Sequence, residues 1–337
     1  MNKQATFKAL PAPIRWGIIG CGDVCEMKSG PAFYKAADSS LVAVMRRDGE
    51  KAESFARRHH VPRWYSDAAK LICDPNVDAV YIATPPSSHA GYAIQAMLAG
   101  KPVYVEKPMA ASYAECLEMN RISQETGIPM FVAYYRRSLP YFLKVKEIVD
   151  SGQIGNAVSV NVCFRMSARP QDGLPDNLPW RVRPEIAGGG YFYDMACHTL
   201  DILDFILGQI DDADGQAANH SGLYLAEDTV AASFRFSSGV VGCGEWAYAA
   251  PASSACDNVE ILGTKGSVRF ATFYFTHIVV SSAYEQSEYA FPKPEHIQQP
   301  MIETVTACLL GKGQSPSNGI SATRTNRIMD KILKKET

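Results

Sequence analysis

Ile14-Arg15-Trp16-Gly17-Ile18-Ile19-Gly20-Cys21-Gly22-Asp23-Val24-Cys25 is the stretch on which the fold turns. Arg15 to Ile19 reads as a short strand buried on both faces, and helical spacing resumes behind the glycines. Gly20-Cys21-Gly22-Asp23-Val24-Cys25 therefore stands where a strand, a tight turn and a helix meet in the dinucleotide fingerprint, with Cys25 in the place of the third glycine. Gly20 permits the turn, Gly22 lets backbone come close to a pyrophosphate, and the helix start at Asp23 and Val24 offers unpaired N–H groups and a favourable dipole to that anion. Cys25 is small enough for close packing of helix on strand.

About 20 residues on, at the end of a second strand, an acid would select NAD by binding the ribose hydroxyls. This chain has Met45-Arg46-Arg47-Asp48 there. A guanidinium at Arg46 or Arg47 suits a 2'-phosphate, so NADP is expected over NAD, with Asp48 keeping NAD open.

Outward from this motif, apolar runs at Leu41 to Met45, Val77 to Ala83, Pro102 to Val105 and Pro129 to Tyr134 alternate with helical segments at Glu50 to His59, Ser88 to Ala99 and Ala111 to Thr126. The pattern predicts an N-terminal Rossmann domain over residues 1–133, a doubly wound parallel sheet whose first helix is broken at Lys28 to Pro31. Beyond Ser151-Gly152, hairpin turns replace crossovers between strands at Val158 to Met166, Thr229 to Phe236, Val240 to Tyr248 and Val259 to Leu262. Residues 134–337 thus form an α+β domain with a large, mostly antiparallel open sheet, and a helix at Ser321 to Lys334 can pack back on either domain. Arg169 to Arg183, with Pro170, Pro175, Pro179 and Trp180, is a long loop of the kind that serves as a lid.

The 337 residues suffice for two domains, and 47% hydrophobic with 20% charged residues excludes a disordered or low-complexity chain. A formal charge of -2 without basic blocks argues against nucleic acid and anionic membranes as partners. No apolar run approaches transmembrane length, no secretory pattern opens the chain, and nine scattered cysteines form no CxxC pair. A cytoplasmic protein with reduced thiols is expected.

Two constellations carry chemistry. Val105-Glu106-Lys107-Pro108 puts Lys107 at the carboxyl end of a parallel strand, the edge where open α/β sheets bind ligands, and its ammonium can stabilise charge developing on a substrate oxygen. Gly188-Gly189-Gly190 leads to Asp194, His198 and Asp201, which share one face of a regular helix at i, i+4 and i+7. His198 can exchange a proton with an alcohol while Asp194 fixes its orientation. No fourth ligand accompanies these three, so no metal is expected.

Together Gly20 and Gly22, Glu106-Lys107-Pro108, and the glycines followed by Asp194 and His198 resemble the Gfo/Idh/MocA oxidoreductases over most of the chain. The resemblance implies a nicotinamide enzyme, Lys107 in the family's catalytic lysine position, and Asp194 and His198 in its acidic and histidine positions. It also implies that Thr84, Pro85, Pro86 and His89 form a loop beside the cofactor, with Glu106 and Lys107 as further cofactor neighbours. Trp180 and Arg181 resemble a segment bordering the substrate pocket, which Tyr135, Arg136 and Tyr191 could also line. The reaction so implied is hydride transfer between NADP or NAD and a hydroxyl- or carbonyl-bearing carbon of a sugar, cyclic polyol or related diol, with the ammonium of Lys107 and the imidazole of His198 meeting over one pyridine face. Open-sheet contacts would make a homodimer or homotetramer. Two other outcomes stay open: a glycosidase-type reaction with retained cofactor, and a non-catalytic dinucleotide-sensing regulator.

Overall fold

A computed structural model describes residues 7–335. Its backbone divides into two compact units: one runs through Ala110 and adds Ala114–Ser138 and Pro294–Thr323, while the other comprises Ala111–Tyr113, Leu139–Lys293 and the chain from Arg324 on.

In the first unit β1 (Ile14–Ile19) is followed by a π-helical turn, Cys25–Ser29, running straight into α1 (Gly30–Lys35). The expected break at Lys28 to Pro31 is instead this wide turn. Pro31 has no N–H and its ring would strike the carbonyl four residues back, so one extra residue enters the turn and the Gly30 N–H bonds the Cys25 carbonyl. The unit continues through β2 (Ser39–Met45), α2 (Gly49–Arg58), β3 (Arg63–Tyr65), α3 (Ala68–Ile72), β4 (Ala79–Ile82), α4 (His89–Leu98), β5 (Val103–Val105), α5 (Tyr113–Thr126) and β6 (Met130–Val132). The six strands are all parallel, in the order β3-β2-β1-β4-β5-β6. Residues of β4, β5 and β6 are buried throughout, as expected for strands covered on both faces. Strand order reverses between β1 and β4, and chains leaving neighbouring strands there diverge, opening the crevice where such sheets take ligands. β3 escaped sequence reading because three residues of mixed exposure carry no periodicity.

The second unit opens with α6 (Pro140–Asp150) and β7 (Ala157–Arg165), passes the proline-rich loop and α7 (Pro184–Ala187), and reaches α8 (Cys197–Leu207). Then come β8 (Ile210–Ala218), β9 (Thr229–Phe236), β10 (Val241–Ala247), β11 (Cys256–Gly263), β12 (Gly266–Phe270), β13 (Ile278–Ser282) and β14 (Gln286–Tyr289). They form one eight-stranded sheet, β14-β13-β12-β11-β7-β10-β9-β8, antiparallel except where β7 pairs β10. Along β7, Val160, Val162 and Phe164 are buried while Asn161 and Cys163 point away, so one face carries the core. That core includes Trp246 edge-on to Phe192 and Phe164 beside Tyr248. The outward face holds an open concavity of about 570 Å³ lined by residues that include Asn161, Cys163, Arg165, Ser233, Cys243 and Glu245. β8 was missed because IDDADGQAA has almost none of the β-branched residues that mark strands. Later in the chain, α9 (Gln299–Leu309) packs on α1 in the first unit, and α10 (Gly319–Ile332) ends the regular structure.

Candidate active site

The glycine turn sits at the carboxyl end of β1, at the switch point. Gly20 has φ +93°, and a Cβ there would lie 2.7 Å from Thr84 Cγ2 and 2.9 Å from the Ala83 carbonyl carbon. At Gly22 a Cβ would meet nothing nearer than 4.0 Å. One glycine is thus required by the chain's own packing, whereas the other leaves open space of the kind a phosphate needs. Cys25 is fully buried with its thiol 3.7 Å from the Gly20 carbonyl, and burial pushes its pKa far up, so it acts as a small packing residue. Asp23 is exposed and Val24 half-buried at the helix start.

Arg46 leaves the end of β2 and its Nη1 lies 3.5 Å from the Cys21 carbonyl, which brings a half-buried guanidinium to the glycine turn; Arg47 is exposed. Asp48 is engaged elsewhere: it caps α2 by accepting from the Lys51 N–H at 3.2 Å and pairs with the Lys51 ammonium at 3.0 Å. Those bonds hold its carboxyl below the usual range.

After β4, Thr84-Pro85-Pro86 is tied to the Lys107 loop by His89. Its ring Nε2 lies 2.7 Å from the Thr84 carbonyl and Nδ1 3.0 Å from the Pro108 carbonyl. The ring is fully buried, so both nitrogens face protein, and burial holds the pKa below the ordinary value near 6.5 despite the pull of the two carbonyls and the Glu106 charge. Glu106 is buried too: Tyr81 Oη and Gln298 Nε2 each donate to its Oε1 at 2.6 Å, and the Lys107 N–H donates to Oε2 at 3.2 Å. Both residues, expected beside the cofactor, have their polar atoms turned to this scaffold. What they fix is the backbone of Lys107, which is half-buried one residue beyond Glu106 and joined to Pro108 by a cis peptide. Tyr135 and Arg136 follow β6 in a 3₁₀ turn, both buried, with the guanidinium 5.0 Å from the Tyr135 ring.

In the second unit the expectation of a regular helix behind the three glycines needs correction. Phe192–Ala196 is a π-helical turn, and α-helix begins at Cys197. The wider turn changes the i, i+4, i+7 spacing of a regular helix. Asp194 Oδ2 accepts from Arg181 Nε at 3.1 Å, whereas Asp201, fully buried, faces the Thr325 hydroxyl of α10 at 3.5 Å. His198 is buried, edge-on to Phe273 at 6.0 Å. Among the described residues no cluster has metal-ligand geometry.

The glycines themselves are clamped. Gly190 donates its N–H to Glu227 Oε1 at 2.8 Å, the Lys335 ammonium bonds the Gly188 carbonyl, and that ammonium sits 3.8 Å from the Tyr193 ring, whose hydroxyl bonds Asp330. Tyr191 points its hydroxyl at Asp172 (2.7 Å), and Arg181 stacks on Trp180 at 4.4 Å. Asp172, Glu227, Asp330 and Lys335 were missed in the sequence because they lie in loops or far along the chain, with no spacing linking them to the glycines.

Comparison with known proteins agrees with this architecture. Residues 14–134 match the model of the oxidoreductase family with an NAD-binding Rossmann fold, and residues 142–269 match the GFO/IDH/MocA C-terminal domain. The chain is 39% identical to Oxidoreductase P35 of Formosa agariphila over 317 residues, 94% of this chain and 97% of that protein. The chain belongs to the Gfo/Idh/MocA oxidoreductase family. Another relative is scyllo-inositol 2-dehydrogenase (NAD(+)) of Bacillus subtilis, 27% identical over 80% of this chain and 77% of that one. Levoglucosan dehydrogenase, solved with NADH and levoglucosan, superposes with a TM-score of 0.82 at 25% identity over 95% of this chain and 96% of that one. As a Gfo/Idh/MocA oxidoreductase the protein has an NAD-binding Rossmann domain, and the open space at Gly22, the strand-switch position and the neighbouring Arg46 fit a dinucleotide there. No helix among the described residues is long and apolar enough to cross a membrane.

Proposed function

We propose that this oxidoreductase is an NADP-preferring dehydrogenase or reductase acting on a hydroxyl- or carbonyl-bearing carbon of a sugar, cyclic polyol or related diol. The observation that carries the reading is the pair of motifs at one edge of the first sheet: the Gly20–Gly22 turn after β1 and Lys107 after β5, its backbone held by Glu106 and His89. Relatives named for inositol, xylose and dihydrodiol dehydrogenation support the substrate class. When bound, the nicotinamide supplies the hydride chemistry. The Gly20–Gly22 turn, Asp23 and Val24 would hold its pyrophosphate. Lys107 orients and polarises the reacting oxygen with its ammonium, His198 exchanges that oxygen's proton, and Asp194, steadied by Arg181, orients the histidine or a substrate hydroxyl.

In this reading residues 1–133 bind the nucleotide and residues 134–337 bind substrate and form contacts between copies, the outward face of the eight-stranded sheet serving a homodimer or homotetramer. Nine cysteines with no disulfide among them suit the cytoplasm.

NADP preference rests on Arg46 beside the glycine turn and on Asp48 being held as a helix cap. Dissociation constants for both cofactors test it: NADP binds more tightly, and Arg46→Ala weakens NADP roughly tenfold or more while changing NAD little, in line with one charge-assisted contact. Tighter NAD binding by the unmodified protein refutes the preference. The substrate class is tested by following reduced cofactor near about 340 nm against aldoses, inositols and diols. Net reduction with members of that panel is expected; none across it, with cofactor bound, rejects the class.

A further inference from the structure

Arg169 is half-buried at the start of the proline-rich loop, and no carboxylate among the described residues lies within ion-pair reach of its guanidinium. Its side chain lies over the Tyr191 ring at 4.5 Å, and Nη2 approaches Met195 Sδ at 3.7 Å. The two nearby acids are engaged: Asp172 accepts from the Tyr191 hydroxyl at 2.7 Å and from Arg169's own backbone N–H at 2.8 Å, while Asp194 takes Arg181 at 3.1 Å. Met195 lies in the π turn Phe192–Ala196, three residues before His198. A partly desolvated cation with N–H donors to spare, beside the turn that carries Asp194 and leads into the histidine's helix, lacks the anion that would compensate its burial.

We propose that Arg169 receives a carboxylate of the substrate, so that the enzyme acts on sugar acids in preference to neutral sugars. The inference rests on the sugar or polyol reading above and narrows it. One guanidinium, with its neighbour Arg181 neutralised by Asp194, matches a single negative charge, and its planar fork fits the two oxygens of a carboxylate. A phosphate ester, with close to two charges, would leave one unbalanced.

The test compares kcat/KM for D-glucuronate and D-galacturonate with D-glucose, D-galactose and D-glucose 6-phosphate, using cofactor-loaded protein. The uronates are expected to be preferred at least tenfold, and Arg169→Gln to lower the ratio of uronate to neutral-sugar kcat/KM by tenfold or more, chiefly through KM, with Arg169→Lys retaining part of the preference. Calorimetric titration with D-glucuronate gives a readout free of turnover: binding weakens by a similar factor in Arg169→Gln. Neutral sugars or the phosphate ester used as well as the uronates, or a ratio unmoved by Arg169→Gln, overturns this inference alone. Turnover of none of the five overturns it together with the substrate class on which it rests.

Discussion

His89 shows how a single side chain can organise a site. An imidazole spanning the Thr84 and Pro108 carbonyls joins the loop after β4 to the loop carrying Lys107. His89→Gln is expected to cost about 1–3 kcal/mol of stability, the usual penalty when buried polar partners lose a bond, and to lower kcat more than it raises KM. A pH signature accompanies it. Because the folded pKa lies below 6.5, the unfolded chain takes up its proton first as pH falls; this group therefore withdraws stability from about pH 6.5 downward until the folded pKa is passed. Denaturant titrations between pH 7 and 5 should show that decline, reduced in His89→Gln. An unchanged pH slope would mean the ring does not carry it. His89 was visible in the sequence as a histidine following Thr84-Pro85-Pro86, but its partners were not, since backbone carbonyls leave no trace in residue identity.

Among the elements, the parallel strands other than β3 were legible because burial on both faces demands unbroken apolar runs, and the glycine turn because each glycine answers a separate steric need. Gly20→Ala should destabilise the first unit by about 2–4 kcal/mol, combining a left-handed backbone with overlap against Thr84 and Ala83. Gly22→Ala should melt like the parent, since the added methyl meets nothing nearer than 4.0 Å, yet bind dinucleotide at least tenfold more weakly. Thermal melts paired with cofactor titration separate the two; equal loss of affinity without loss of stability in Gly20→Ala would contradict the packing argument. Illegible were the π turns at Cys25–Ser29 and Phe192–Ala196. Pro31 signalled the first only as a helix break, and nothing in Phe192-Tyr193-Asp194-Met195-Ala196 announces the second. From the second turn Asp194 accepts from Arg181, and from the helix that follows Asp201 faces Thr325.

Over the whole molecule, burial sorts the nine thiols. Cys73 and Cys243 are exposed, whereas Cys21, Cys25, Cys116 and Cys197 are buried, and burial raises the Cys21 pKa to about 11. Iodoacetamide at pH 8, followed by peptide mass mapping, should label Cys73 and Cys243 first and the four buried thiols only on unfolding. Early labelling of Cys21 or Cys25 would mean that the glycine turn opens in the native state. The order of strand-helix alternation followed by hairpins could be read from sequence over the full length; the clamp of Glu227, Asp330 and Lys335 around the glycine turn at 188–190 could not, because it joins residues 37 to 147 positions apart with no spacing pattern between them. The proposed mechanism has Lys107 and His198 serve one transition state. Single-turnover hydride transfer in Lys107→Met, His198→Asn and the double variant measures it most directly, with cofactor affinity as the control. Each single substitution should slow the step by about 10²-fold or more, and the double should be little slower than the worse single. Wild-type rates in both single variants, with cofactor still bound, would contradict the assignment.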